Sequence, residues 1–211
     1  MNDAALSRLA ARVGTELRSA GLRVVTAESC TAGWIAKALT DVAGSSEWLD
    51  SGYVVYSNEA KVRALGVSPR TLDHFGAVSG ETVREMALGA LRVSGVEVAV
   101  AVSGIAGPDG GTRDKPVGTV WFCVARRRGE RTKRVTVHER FRGNRQAVRR
   151  KSVERALRLI GRLLAPSAPA GRSFARARSK ALGRARRTAR RKARSNLRAA
   201  RSADRRDGKV R

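Results

Sequence analysis

The sequence predicts a layered α/β domain with a mixed sheet, followed by a basic tail. Three observations carry this. Amphipathic helical stretches alternate with short apolar runs from Asp3 to Leu164. The last two strand-like runs follow one another across a polar loop, which makes a hairpin and so a sheet that is not purely parallel. Beyond Pro166 the composition changes abruptly.

Asp3 to Ala20 places Leu6, Leu9, Ala10, Val13 and Leu17 on one helical face, and Gly21 stops it. Leu22 to Ala27 reads as a short buried strand, Thr31 to Leu39 as a helix, and Asp41 to Ser46 as a polar turn. Gly52 to Tyr56 is β-rich, and Asn58 to Leu65 is a short helix ending near Gly66. Ser79 to Val93 is a helix capped by Ser79. Val96 to Val102 is an unbroken apolar run, the mark of a central strand. Val117 to Ala125 and Arg134 to Phe141 are strands joined across Arg126 to Thr132, with Gly129 in the loop. Asn144 to Leu164 closes the domain as a helix with Val148, Val153, Leu157, Ile160 and Leu164 on its buried stripe.

The 211 residues suffice for one domain and a tail, and 42% hydrophobic content provides a core that 4% aromatics make mostly aliphatic. The boundary is the breaker cluster Pro166-Ser-Ala-Pro169-Ala-Gly171, which divides a domain at 1–165 from a tail at 166–211. The tail holds 17 Lys or Arg against 2 Asp, and its few large apolar residues cannot offset chain entropy, so it is expected to be disordered alone. The two cysteines, Cys30 and Cys123, argue against a disulfide-stapled secreted scaffold and for a reducing cytoplasm. No apolar run reaches membrane-spanning length, and Met1 to Leu17 shows no signal-peptide core.

Elimination narrows the chemistry. His74 and His138 have no partner at metal-ligand spacing, so neither a zinc site nor a Ser-His-Asp triad is expected. What remains is small polar residues at element ends. Thr26-Ala-Glu28-Ser29-Cys30-Thr31-Ala-Gly33 follows a strand and opens a helix, so Ser29 or Thr31 serves as a cap or lies at an anion or oxyanion site. Gly44-Ser45-Ser46 is a loop whose serines are ordinarily turn residues. Tyr56, Asn58 and Lys61 gather near a strand end; Lys61 is either a solvated lysine or a desolvated base able to deprotonate a serine. Ser103-Gly104-Ile-Ala-Gly107-Pro108-Asp109-Gly110-Gly111 follows the most apolar strand, where α/β sheets place ligand loops. Arg142 and Arg145, at the last strand–helix junction, suit a phosphate clamp or belong to a basic surface.

Taken together, TAESCTAG, AGSSEWLDSGYVVYSNEAKVRALGV, HFGAVS, SGIAGPDGGTRDKPVGTVW and FRGNRQAVR closely resemble the CinA C-terminal domain family over about residues 4 to 164. The resemblance implies a three-layer α/β/α fold, a homodimer and, for single-domain members, hydrolysis of nicotinamide mononucleotide to nicotinate mononucleotide and ammonia. It implies a serine–lysine mechanism that demands no metal or organic cofactor. Carried over by motif, Ser46 is the nucleophile, Lys61 the base, and Tyr56 orients Lys61 or relays a proton. Ser29 and Thr31 lie beside the amide or oxyanion, Asn58, Ser103, Gly104 and Gly107 near substrate, and Arg142 or Arg145 on the 5′-phosphate. Ser29 and Cys30 are the rival nucleophiles.

Three departures stand out. Ala32 replaces a glycine common in the family's helix-start motif, and alanine suits the expected helix. The N-terminal domain of larger members has no counterpart here, and the tail has none in the family pattern. Two other function classes compete with the hydrolase: a non-catalytic nucleotide-binding module, and a nucleic-acid-associated protein whose tail binds phosphate backbones without sequence preference.

Overall fold

In the computed structural model, residues 2–165 are described, and the tail at 166–211 lies outside them. Five strands form one sheet in the order β2-β1-β3-β4-β5: β1 (Val24–Glu28), β2 (Leu49–Val54), β3 (Val98–Gly104), β4 (Thr119–Arg128) and β5 (Arg131–Arg140). β1 pairs in parallel with β2 and β3, while β3–β4 and β4–β5 are antiparallel. The mixed sheet expected from the sequence is therefore present.

Strand alternation divides the core. Val24, Val98, Val100, Val102, Val120, Phe122 and Val124 face α1 (Asp3–Ser19), α2 (Trp34–Thr40) and α6 (Arg145–Leu164). Val25, Ala27, Ala99, Ala101, Cys123 and Ala125 face α3 (Asn58–Leu65), α4 (Pro69–Phe75) and α5 (Gly80–Ser94). The second face is paved with alanine, which lets α5 approach closely. Gly89 carries the same logic to the next helix, because a Cβ there would collide with the Leu65 carbonyl oxygen at the end of α3.

The expected cap at Ser79 forms, and three more helices are capped in the same way. Asn2, Ser57, Ser79 and Asn144 accept from the backbone N–H three residues on and start α1, α3, α5 and α6. Three differences from the sequence reading have physical causes. α2 begins at Trp34, not Thr31, because residues 29–33 are spent on a tight turn. β4 and β5 extend into the arginine-rich stretch taken as a loop, because their ladder continues to the Arg128–Arg131 pair and leaves only Gly129 and Glu130 as the turn. α4 had no assignment: a seven-residue helix that buries only Leu72 gives no periodic face to read. No described helix is long and apolar enough to cross a membrane.

Candidate active site

The carboxyl ends of β1, β2 and β3 lie side by side, and the loops leaving them build the site. Ser29 is the first residue past β1, and its N–H donates to the Val102 carbonyl of β3 (3.0 Å). Past β2, the Val55 N–H donates to the Glu28 carbonyl (2.9 Å), which fixes the loop that enters α3.

Lys61 sits in the first turn of α3 and folds back over that loop. It is 1% exposed. Its Nζ lies 2.9 Å from the Tyr56 carbonyl, 3.0 Å from that of Val55, 3.3 Å from that of Ser57 and 3.4 Å from Ser29 Oγ. Burial is the main force on its titration and holds Lys61 below the ordinary lysine value. A neutral amine in this cage donates two hydrogens to carbonyls and turns its lone pair to the Ser29 hydroxyl.

Glu28 is the hidden support. It is fully buried, and its two oxygens accept from Thr26 Oγ1 (3.1 Å), Thr31 Oγ1 (2.7 Å), the Ile35 N–H (3.0 Å) and the Ala36 N–H (2.8 Å). It therefore starts α2, closes the turn carrying Ser29 and holds Thr31 in place. Arg149 of α6 clamps the same turn from outside, donating to the Cys30 carbonyl (3.1 Å) and the Thr31 carbonyl (2.9 Å). Neither residue was singled out from the sequence. A lone acid closing an otherwise apolar strand was the available signal for Glu28; nothing local marks Arg149.

Ala32 corrects an expectation. It is not helical; its φ of 50° lies in the left-handed region, followed by Gly33 at 85°. A side chain there is strained by about 1–2 kcal/mol, so the glycine it replaces was the better fit. Ala32→Gly is expected to stabilise the protein by about 1 kcal/mol after the entropy of the freer unfolded chain is subtracted, which thermal unfolding would register as a rise of about 2–4 °C.

A cavity of about 200 Å³ is lined by Cys30, Tyr56, Gly104 to Gly107, Asp109, Gly110 and Arg145. Arg145 is the first residue of α6, and its Nη1 donates to the Gly107 carbonyl (2.9 Å), pinning the glycine loop. The expected site residues thus divide. Tyr56, Gly104, Gly107 and Arg145 line this cavity, and Ser29, in contact with Lys61, precedes its lining residue Cys30. Thr31 and Ser103 are buried, and their hydroxyls are engaged with Glu28 and with the Ala77 carbonyl (2.7 Å), so they brace the site. Asn58 is exposed at the start of α3. Arg142 lines a separate cavity of about 410 Å³ with Val117, Arg140, Phe141 and Gly143.

The geometry bears on two expected roles. Ser46 sits in a short 3-10 turn, Ser45–Glu47, before β2, whereas Lys61 follows β2. A six-residue strand separates them by roughly 20 Å, so Lys61 cannot take a proton from Ser46. Tyr56 holds Lys61 through its backbone carbonyl, while its side chain, 62% exposed, stands at the cavity wall. The rival Cys30 is a poor nucleophile because burial pushes its thiol up to about 12, keeping it protonated.

The fold has counterparts among solved structures. The competence/damage inducible protein CihA of Agrobacterium tumefaciens superposes with a TM-score of 0.73 at 44% identity, covering 77% of this chain and 96% of its own. A competence-damaged protein (CinA) superfamily protein of Klebsiella pneumoniae gives 0.72 at 40% identity, covering 78% and 99%. The chain belongs to the CinA C-terminal domain family, whose model matches residues 6–164. Among its relatives, the nicotinamide-nucleotide amidohydrolase PncC of Escherichia coli (strain K12) is 52% identical over 160 residues, which are 76% of this chain and 95% of the relative. The PncC of Pseudomonas putida is 49% identical over 152 residues, 72% and 92%.

Proposed function

We propose that this protein is a nicotinamide-nucleotide amidohydrolase in which Ser29 is the nucleophile and Lys61 the base. The observation that carries the reading is the buried Lys61 amine facing the Ser29 hydroxyl, one residue before Cys30, which lines a glycine-rich cavity. The reaction named for the relatives at about half identity supplies the substrate class.

The chemistry balances as acyl transfer. Neutral Lys61 takes the Ser29 proton as the oxygen attacks the carboxamide carbon. The Cys30 N–H, which has no acceptor among the described residues, is available to the developing oxyanion. Lys61 returns its proton to the departing nitrogen, which leaves as ammonia. Water, deprotonated by Lys61, then cleaves the acyl-enzyme to the carboxylate and restores Ser29. Arg145 is the phosphate partner, since it lines this cavity and Arg142 does not. A homodimer acting in the cytoplasm is the setting of this reading.

Incubation with nicotinamide mononucleotide is expected to release ammonia and nicotinate mononucleotide in equal amounts. Saturable binding without ammonia would support a nucleotide-binding module in its place. Ser46→Ala is expected to keep the rate within about twofold, because exposed substitutions away from a site change little; a rate collapse in that variant would restore Ser46 to the mechanism.

A further inference from the structure

A block of positive charge lies on the β4–β5 hairpin, at the sheet edge remote from Ser29. The ladder places Arg126 opposite Lys133 and Arg128 opposite Arg131. Directly paired residues share a face, and alternation from Val124 puts all four on the α6 side of the sheet. Like charges held directly opposite each other destabilise an antiparallel pair. Yet none of the four makes an ion pair among the described residues, although eight ion pairs engage cations elsewhere in the domain. From Arg126 to Arg134 there are six cations and one acid, Glu130 in the turn. The strain is visible at Arg126: its Nε is buried without a partner among the described residues, and burial and then the neighbouring Arg128 lower its pKa.

Protection of an exposed strand edge is the ordinary use of such charges. It accounts for Arg131 and Lys133 on the edge strand β5, but not for Arg126, where β4 is paired with β3 on one side and β5 on the other. The opposite edge strand, β2, reads Leu-Asp-Ser-Gly-Tyr-Val and carries no Lys or Arg at all. The block is therefore not a general edge device of this chain.

We propose that this face of the hairpin binds the phosphate backbone of nucleic acid without sequence preference. Cations repeat about 7 Å apart along each strand and about 5 Å apart across the pair, which suits a ligand with repeated anions better than a single phosphate. No aromatic residue lies between Arg126 and Arg134 to stack on bases. Val135, 39% exposed, is the large apolar side chain flanking the block on that face, too little for insertion into a bilayer, so nucleic acid is favoured over an anionic membrane. Past Ala165 the sequence adds 17 Lys or Arg against 2 Asp, reinforcing a polyanion partner. The seven residues of β3 put the block roughly 20 Å from the Ser29 end of the sheet, so bound nucleic acid leaves the cavity open.

The test is a salt titration of full-length protein on a labelled 30-base-pair duplex of arbitrary sequence. Replacing Arg128, Arg131 and Lys133 by glutamine is expected to lower the slope of log affinity against log salt by about 3, at roughly 0.9 per lost phosphate contact. Lysine at positions 128 and 131 is expected to preserve the slope, and all variants to keep the wild-type circular dichroism spectrum. An unchanged slope in the glutamine variant overturns the proposal. So does a variant that keeps duplex binding but loses binding to phosphatidylserine vesicles, which would mean a membrane. Unchanged duplex binding with new oligomers would mean edge protection and overturns it equally.

Discussion

Ser29→Ala and Lys61→Met each reduce ammonia release from nicotinamide mononucleotide by about 10⁴-fold or more, the scale on which nucleophile and base losses register in acyl-transfer enzymes. The double variant is expected to be little worse than either single one, because the two act on one proton and one bond. Methionine fills the volume of a side chain that is 1% exposed but leaves the carbonyls of Val55, Tyr56 and Ser57 without their donor. Its folding must therefore be checked by thermal melting, and Ser29→Ala, which removes one oxygen, is the cleaner arm. Activity within tenfold of wild type in folded Ser29→Ala would end the proposed role of that hydroxyl.

The pH profile separates a neutral amine from a lysine that merely positions. Below the lowered value of Lys61 the group is an ammonium and cannot accept the Ser29 proton. The rate is thus expected to rise with pH, with a midpoint below 10.5. Stability follows the same sign. Between the lowered folded value and 10.5 the unfolded chain holds the additional proton, so folding stability rises with pH across that window. Lys61→Met removes this rise.

Much of the fold was legible because each element carries its own period and cap. The bounds of α3 were read as Asn58 to Leu65, and the cap Ser79 lies where the sequence places it. Arginine-rich β4 and β5 read as shorter than they are because strand length there is set by cross-strand pairing, which no local pattern reports. The partner of Lys61 was obscured for a different reason. Ser46 and Ser29 both precede Lys61 in short polar motifs, and motif order does not rank them. Topology does: a residue before β2 and a residue after it lie at opposite ends of the strands, whereas Ser29 leaves the parallel neighbour β1 at the same end as Lys61. That step was available from the predicted strands and favours Ser29 over Ser46 in the proposed mechanism. Arg149 was beyond reach because its contacts to Cys30 and Thr31 span almost 120 residues of sequence.

Glu28→Gln is expected to cost both stability and rate. The carboxylate accepts four hydrogen bonds with its two oxygens, while an amide offers one acceptor oxygen and a nitrogen that only donates. Whichever way the amide turns, two donors face its NH₂ group: either Thr26 Oγ1 and the Ala36 N–H, or Thr31 Oγ1 and the Ile35 N–H. Each buried group left unsatisfied costs about 1–3 kcal/mol, so a loss of about 2–4 kcal/mol in denaturant unfolding is expected, threonine rotation relieving part of the conflict. The same clash loosens the turn that aims Ser29 at Lys61, and kcat is expected to fall about 10²-fold, as for a misplacement near 1 Å. KM should change far less, because Glu28 is fully buried and does not line the cavity. Glu28→Asp keeps the charge but shortens the reach by one methylene, so it retains part of the network and falls between the two. A glutamine variant that melts early yet turns over at the wild-type rate when folded would make Glu28 a support of the core alone, with no hold on the nucleophile.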